Sequence, residues 1–191
     1  MSEQDIQLAF RVCSYLLSYP DNEFIDSIEE LEAEIKGASS SPVKNELELF
    51  FRKLKHMPPS ELVAAYVNTF DFGKKTNLYV TYMSNGEQRE RGMDLLFLKN
   101  YYKLNGFDMT DKELPDFLPV MLEFASHVDL ETRKPVFDRY LKNIKEISEK
   151  IDPEANLYGH ILRSILLNLE EAGVAKSVRR SEEICLNNFY G

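Results

Sequence analysis

Apolar residues recur along most of this chain at intervals of three and four, the spacing that lays one stripe along an α-helix. Ile6, Phe10, Cys13, Leu16 and Leu17 predict a first helix, ended by Pro20. Phe24, Ile28, Leu31 and Ile35 predict a second over about 23–36, capped by Asp21 and closed by Gly37. Beyond a polar loop, 38–42, a third carries Val43, Leu47, Phe50, Phe51 and Leu54, and Pro58-Pro59 opens a fourth that runs to Phe70. From Asp71 to Asn85 the helical period fails. Leu78 to Met83 has strand-like composition but no partner strand in the sequence, so an extended loop crossing the bundle is expected, followed by the turn Ser84-Asn85-Gly86.

The pattern then returns. A fifth helix over about 87–104 should face Met93, Leu96, Phe97, Tyr101 and Leu104 inward, with Asn105-Gly106 ending it. Asp116 as the cap of a sixth would leave Pro119 in a first turn, where its missing N–H costs nothing, and would bury Leu118, Met121, Leu122, Ala125 and Val128. A seventh over about 130–151 repeats Phe137, Leu141, Ile144, Ile147 and Ile151, with Pro135 in its first turn and a start drawn toward Thr132. Asp152-Pro153-Glu154 opens an eighth, with Leu157, Ile161, Ile165, Leu166 and Leu169 on one face and Gly173 as its end. The expected fold is all-α: a single-domain bundle of about eight helices over 1–173 with one extended non-helical loop (71–85). The tail, 174–191, has no clear period and reads as disordered or only partly helical.

Composition narrows the function classes. At 191 residues and 22.2 kDa one domain with a proper core is expected. No apolar run would span a membrane, and MSEQDIQLAF lacks a signal peptide's basic region, so a cytoplasmic protein is expected. Cys13 and Cys185 lie far apart and the three histidines are scattered, so no metal or cofactor site is expected. The net charge is -9, and the tail from Val174 carries +1 of it (Lys176, Arg179 and Arg180 against Glu182 and Glu183), leaving -10 on the body. Such a body repels nucleic acid and anionic lipid and favours basic partners.

Candidate chemistry concentrates between Tyr66 and Glu123. Tyr66, Phe70, Phe72, Tyr79 and Tyr82 fall within 17 residues. Tyr66 and Phe70, four apart, read mainly as core; Tyr79 and Tyr82, on the extended segment, suit the wall of a peptide site. Glu113, Asp116 and Glu123 would share one stripe if the sixth helix reached back to Glu113, an arrangement able to grip arginine or lysine. The plainer roles are a cap for Asp116, a capping box of Thr110 with Glu113, and a solvated face for Glu123. Arg89 and Arg91 sit beside Glu87 and Glu90 and read as local ion pairs at a helix start. GEQRERG (86–92) lacks a phosphate loop's lysine-serine ending. Paired acids are the only catalytic candidate, with His127 the sole nearby histidine, so catalysis is not expected.

The segments YVNTFDFG (66–73), LYVTYMSNGEQRERG (78–92) and ELPDFLPVMLEF (113–124) resemble the NarJ family. These are the nitrate reductase delta-subunit assembly chaperones, a branch of the TorD/DmsD-like redox-enzyme maturation proteins. The resemblance is specific over 66–124, looser from Phe10 to Glu171, and does not include the tail. Tyr66, Phe70, Asp71 and Gly73 are similar to the family's Tyr-x-x-x-Phe segment. Glu113, Pro115 and Asp116 match the wider Glu-x-Pro-Asp-His signature, while Phe117 replaces its histidine, so no histidine role carries over. The resemblance implies an all-helical, non-enzymatic cytoplasmic chaperone without a cofactor of its own. It would bind the N-terminal segment of the apo catalytic (alpha) subunit of a respiratory nitrate reductase until the molybdenum cofactor is inserted, with cofactor-biosynthesis proteins as further partners. The expected peptide site is a groove near Tyr79, Tyr82 and the sixth helix, with Arg89, Arg91, Pro115 and Phe117 beside it, where client cations meet Asp71, Glu113, Asp116 and Glu123. The alternatives are a chaperone for another molybdoenzyme through a twin-arginine signal, a small metal-dependent enzyme using Glu113, Asp116 and Glu123, or a helical scaffold without client specificity. The tail joins basic and apolar residues as a client segment would, which suggests docking in the same groove, against the plainer reading of a solubilising end.

Overall fold

Ser2 accepts a hydrogen bond from the Asp5 amide and starts α1 (Glu3–Leu16), whose Ile6, Phe10, Cys13 and Leu16 are buried. Asp21 caps α2 (Asn22–Gly37) and Ser41 caps α3 (Pro42–Leu54) in the same way. The chain continues through α4 (Pro59–Tyr66), a single π-helical turn (Val67–Asp71), α5 (Gln88–Leu104), α6 (Leu118–His127), α7 (Leu130–Ser148) and α8 (Tyr158–Glu171). This computed structural model describes residues 1–73, 75–82, 88–110 and 112–174. The expected turn at 84–86 and the tail beyond 174 lie outside the described residues.

α1 runs along α6 and α8, α3 packs on α8, and α7 and α2 cover α8 and α3 respectively. Phe50, Tyr66, Phe70 and Tyr158 form an aromatic knot between α3, α4, the π turn and α8, with ring centroids 5.0 Å apart for Phe70–Tyr158 and 5.1 Å for Tyr66–Phe70. The Tyr66 hydroxyl donates to the Leu17 carbonyl at 3.2 Å, so this tyrosine and Phe70 belong to the core. Gly73 follows the π turn where an added Cβ would run into the Thr69 carbonyl, which explains a glycine at the end of this segment.

Several elements differ from the pattern-based expectation. α2 continues through Gly37, and Ala38 provides the C-cap; the left-handed glycines are Gly106 (φ 88°) and Gly173 (φ 83°). α7 starts at Leu130 with Asp129 as its cap, so Pro135 stands in the second turn and denies Glu131 its helical donor. Asp152-Pro153-Glu154 forms a turn rather than a helix start, and α8 begins at Tyr158, whose amide is held by the Asn156 side chain at 3.0 Å. Gly159 in that first turn lies against the 151–153 backbone, where a Cβ would come within 2.7 Å of the Ile151 oxygen.

α5 is turned relative to its expected face. Met93, Leu96 and Leu104 are exposed, and the helix buries Asp94, Leu98 and Tyr102, with Phe97 and Tyr101 partly covered. The buried acid is matched from α7: Arg139 donates to Asp94 Oδ1 from Nη2 at 2.7 Å and Nε at 3.0 Å, and Tyr140 donates at 2.9 Å. That ion pair lies on the inward side of α5 with Leu98 and Tyr102, and an apolar stripe of the helix faces out.

Candidate functional site

The extended segment 75–82 is held against the start of α6. Val80 donates to the Asp116 carbonyl at 2.9 Å and Leu118 donates to the Leu78 carbonyl at 2.8 Å, an antiparallel bridge that pairs Tyr79 with Phe117. The expected non-helical loop is present over the described residues 75–82, although Asp71 belongs to the π turn, and two of its backbone groups pair with the turn preceding α6.

Each residue of the Glu113–Phe117 signature fastens one part of this contact. Glu113 accepts the Tyr79 hydroxyl at 2.6 Å, and the Tyr79 ring lies over Phe117 with centroids 5.1 Å apart. The Pro115 carbonyl accepts the Tyr102 hydroxyl from α5 at 3.1 Å. Asp116 Oδ2 accepts the Thr81 hydroxyl at 2.6 Å and the Thr81 amide at 3.3 Å, and Arg91 Nη2 stands 3.6 Å away. Arg91 also covers the face of the exposed Tyr82 at 5.4 Å, so among the described residues it reaches across the fold, while Glu87 lies outside them. Burial, then the hydrogen bond to Glu113, pushes the Tyr79 phenol up to about 12.

This geometry corrects the carboxylate stripe. Glu113 and Asp116 both precede α6, whose cap is Phe117, so Asp116 is not a cap and no capping box forms at Thr110. Asp116 is fully buried and cannot meet a docking chain, and Pro115 is buried beside it. Glu113 and Glu123 are exposed and line one cavity. Asp71, Arg89 and Tyr82 are exposed, while Arg91 and Phe117 are half-buried. Among the described residues no three histidine, cysteine or acidic side chains converge on a point that could hold a metal ion. Asp116 is sealed in the interior while Glu113 and Glu123 line one cavity, so the three acids do not share one face.

The open surface lies one step beyond the signature, between α5, the 107–114 segment and α6. One cavity of about 520 Å³ is walled by Tyr102, Phe107, Val120 and Phe124 and edged by Asp108, Lys112, Glu123 and His127. A second, of about 320 Å³, is lined by Leu95, Leu96, Lys99, Leu114 and Pro115. Met109, Thr110 and Glu113 border both, so the two form one groove with Glu113 at its midpoint. Glu113 thus ties the Tyr79 wall to the groove. The sequence reading missed Phe107, Met109, Val120 and Leu96 as groove residues. Their signal was present in the apolar Phe107-Asp108-Met109 after Gly106 and in a second apolar stripe on α5.

An all-helical chain with an aromatic groove and acidic edges defines a class, and comparison supplies its fold. A crystal structure from Archaeoglobus fulgidus, assigned to redox enzyme maturation, superposes with a TM-score of 0.62 over 86% of this chain and 93% of that one, at 21% identity. The two share a fold. Residues 36–152 match the family model of the nitrate reductase delta subunit, and the chain belongs to that family. The probable nitrate reductase molybdenum cofactor assembly chaperone NarJ of Bacillus subtilis is 44% identical over 178 residues, covering 93% of this chain and 97% of the relative. The nitrate reductase molybdenum cofactor assembly chaperone NarJ of Escherichia coli is 32% identical over 119 residues, 61% of this chain and 50% of its own length.

Proposed function

We propose that the protein is an assembly chaperone for a respiratory nitrate reductase. It binds the N-terminal segment of the apo catalytic subunit and holds that subunit in the cytoplasm for molybdenum cofactor insertion and membrane assembly. The Bacillus subtilis and Escherichia coli relatives are named as assembly chaperones, which supports a role that is not enzymatic. Among the described residues no helix is long and apolar enough to cross a membrane.

The observation that carries the docking step is the groove between α5 and α6, apolar along Leu96, Met109, Val120 and Phe124 and edged by Asp108, Glu113 and Glu123 with Lys99 and Lys112 beside them. An amphipathic client helix would lay its apolar face along that floor and its cations toward the acids. Exposed ion pairs contribute about 1 kcal/mol or less each, so apolar burial at ~25 cal/mol per Å² supplies most of the affinity. The charges set orientation and rate.

Co-purification with the apo catalytic subunit, with and without its first few dozen residues, tests the reading. Loss of capture on removing that segment is expected; equal capture without it overturns N-terminal binding. In a peptide titration Glu123→Lys should weaken binding about 3–10-fold at an unchanged melting temperature.

A further inference from the structure

The chain leaves the described structure beside one end of the groove. Gly173 closes α8 with φ 83°, and its Cβ position would lie 3.6 Å from the Leu130 side chain. Leu130 stands three residues after His127, which edges the larger cavity, so the two are at most ~11 Å apart along the chain. Val174, the last described residue, is fully buried there. The remaining residues, 175–191, combine Lys176, Arg179 and Arg180, then Glu182 and Glu183, with Val178, Ile184, Leu186 and Phe189. That is a segment of net charge +1, its three cations ahead of its two acids, on a body of opposite charge. At full extension of ~3.3–3.6 Å per residue, the stretch from Val174 to Cys185 reaches at most about 36–40 Å. The groove offers Phe107, Met109 and Phe124 as an apolar floor, and at its edge Asp108, Glu113 and Glu123 outnumber Lys112.

We propose that residues 175–191 dock in this groove of their own chain when no client is bound. Entry is from the His127 end, with Arg179 and Arg180 toward Glu123 and Asp108 and the apolar residues following toward Leu96 and Leu114. Tethering gives the segment a high effective concentration, so modest contacts suffice to keep the floor covered, and a client must displace it. The displacement step rests on the client-groove reading above; the docking step does not. It would keep an exposed apolar surface from binding unrelated chains.

The full-length chain tests this through its own thiols. Cys13 is buried against Ser164 and its thiol is pushed up to about 12 by burial, so Cys185 is the thiol available for coupling. Thr110→Cys places a partner at the groove's middle; Lys142→Cys on α7, with its side chain 87% exposed, places one outside the groove. Twelve residues along α7 from Leu130 is ~18 Å, within reach of an undocked tail. Under diamide, an intrachain disulfide from Cys185 should form about tenfold faster at position 110 than at 142. Arg179→Glu with Arg180→Glu should bring the two rates together. Equal rates with the unaltered tail, or a disulfide mainly between chains, overturn the proposal. Adding the client's N-terminal peptide separates the two readings. A slower reaction at position 110 supports both, whereas an unchanged one with the peptide bound supports tail docking and removes the shared groove.

Discussion

A carboxylate removed from water must be matched where it lies, and Asp116 is matched at Oδ2 by the hydroxyl and amide of Thr81 and approached there by Arg91, while Oδ1 has no partner among the described residues. Asp116→Ala leaves those donors facing a void. It should cost about 2–4 kcal/mol in urea or thermal denaturation, with any loss of client binding following the loss of fold. Glu123→Ala should stay within about 0.5 kcal/mol, because that side chain is exposed. A pH series isolates the neighbouring latch. The fold favours the neutral Tyr79 phenol, so its contribution is complete below the ordinary tyrosine value of roughly 10 and disappears as pH rises through about 12. Urea midpoints of the wild type and Tyr79→Phe should therefore differ at neutral pH and converge above about pH 10. Glu113 and Asp116 looked equivalent in the sequence, two acids three residues apart. What separates them is which of them the segment 75–82 covers, a contact with residues more than thirty positions away.

At the scale of elements, helix positions followed from periodicity and caps, as at Ser2, Asp21, Ser41 and Asp129. The rotation of α5 did not. It carries two usable stripes, and the more apolar one, with Met93, Leu96 and Leu104, is outside. The inner stripe includes Asp94, whose burial makes sense only once Arg139 and Tyr140 of α7 are in place. Pro135 offers a direct check on α7, since it sits beyond the first turn without an N–H for the Glu131 carbonyl. Pro135→Ala should raise the stability by about 1–3 kcal/mol, measured by urea denaturation, because the site is exposed and the helix already continues through it.

For the molecule as a whole, an acidic chain of net charge -9 confronts a client expected to be basic. Long-range attraction acts on encounter and is screened beyond a Debye length of ≈10 Å at 0.1 M salt. Stopped-flow association of the client peptide should slow several-fold, roughly 3–10-fold, between low and physiological ionic strength, while the dissociation rate changes little. A rate independent of salt would mean that the acidic edge takes no part in capture.

Periodicity, caps and breakers are local properties, and they sufficed for an all-helical chain, for eight helices near their observed places, and for the block that carries the family signature. Which face of α5 turns inward, which of two neighbouring acids is sealed, and where an open groove remains are settled by contacts between distant segments. Local spacing holds no information about a partner such as Arg139 or Thr81, so these outcomes belong to the packed structure alone.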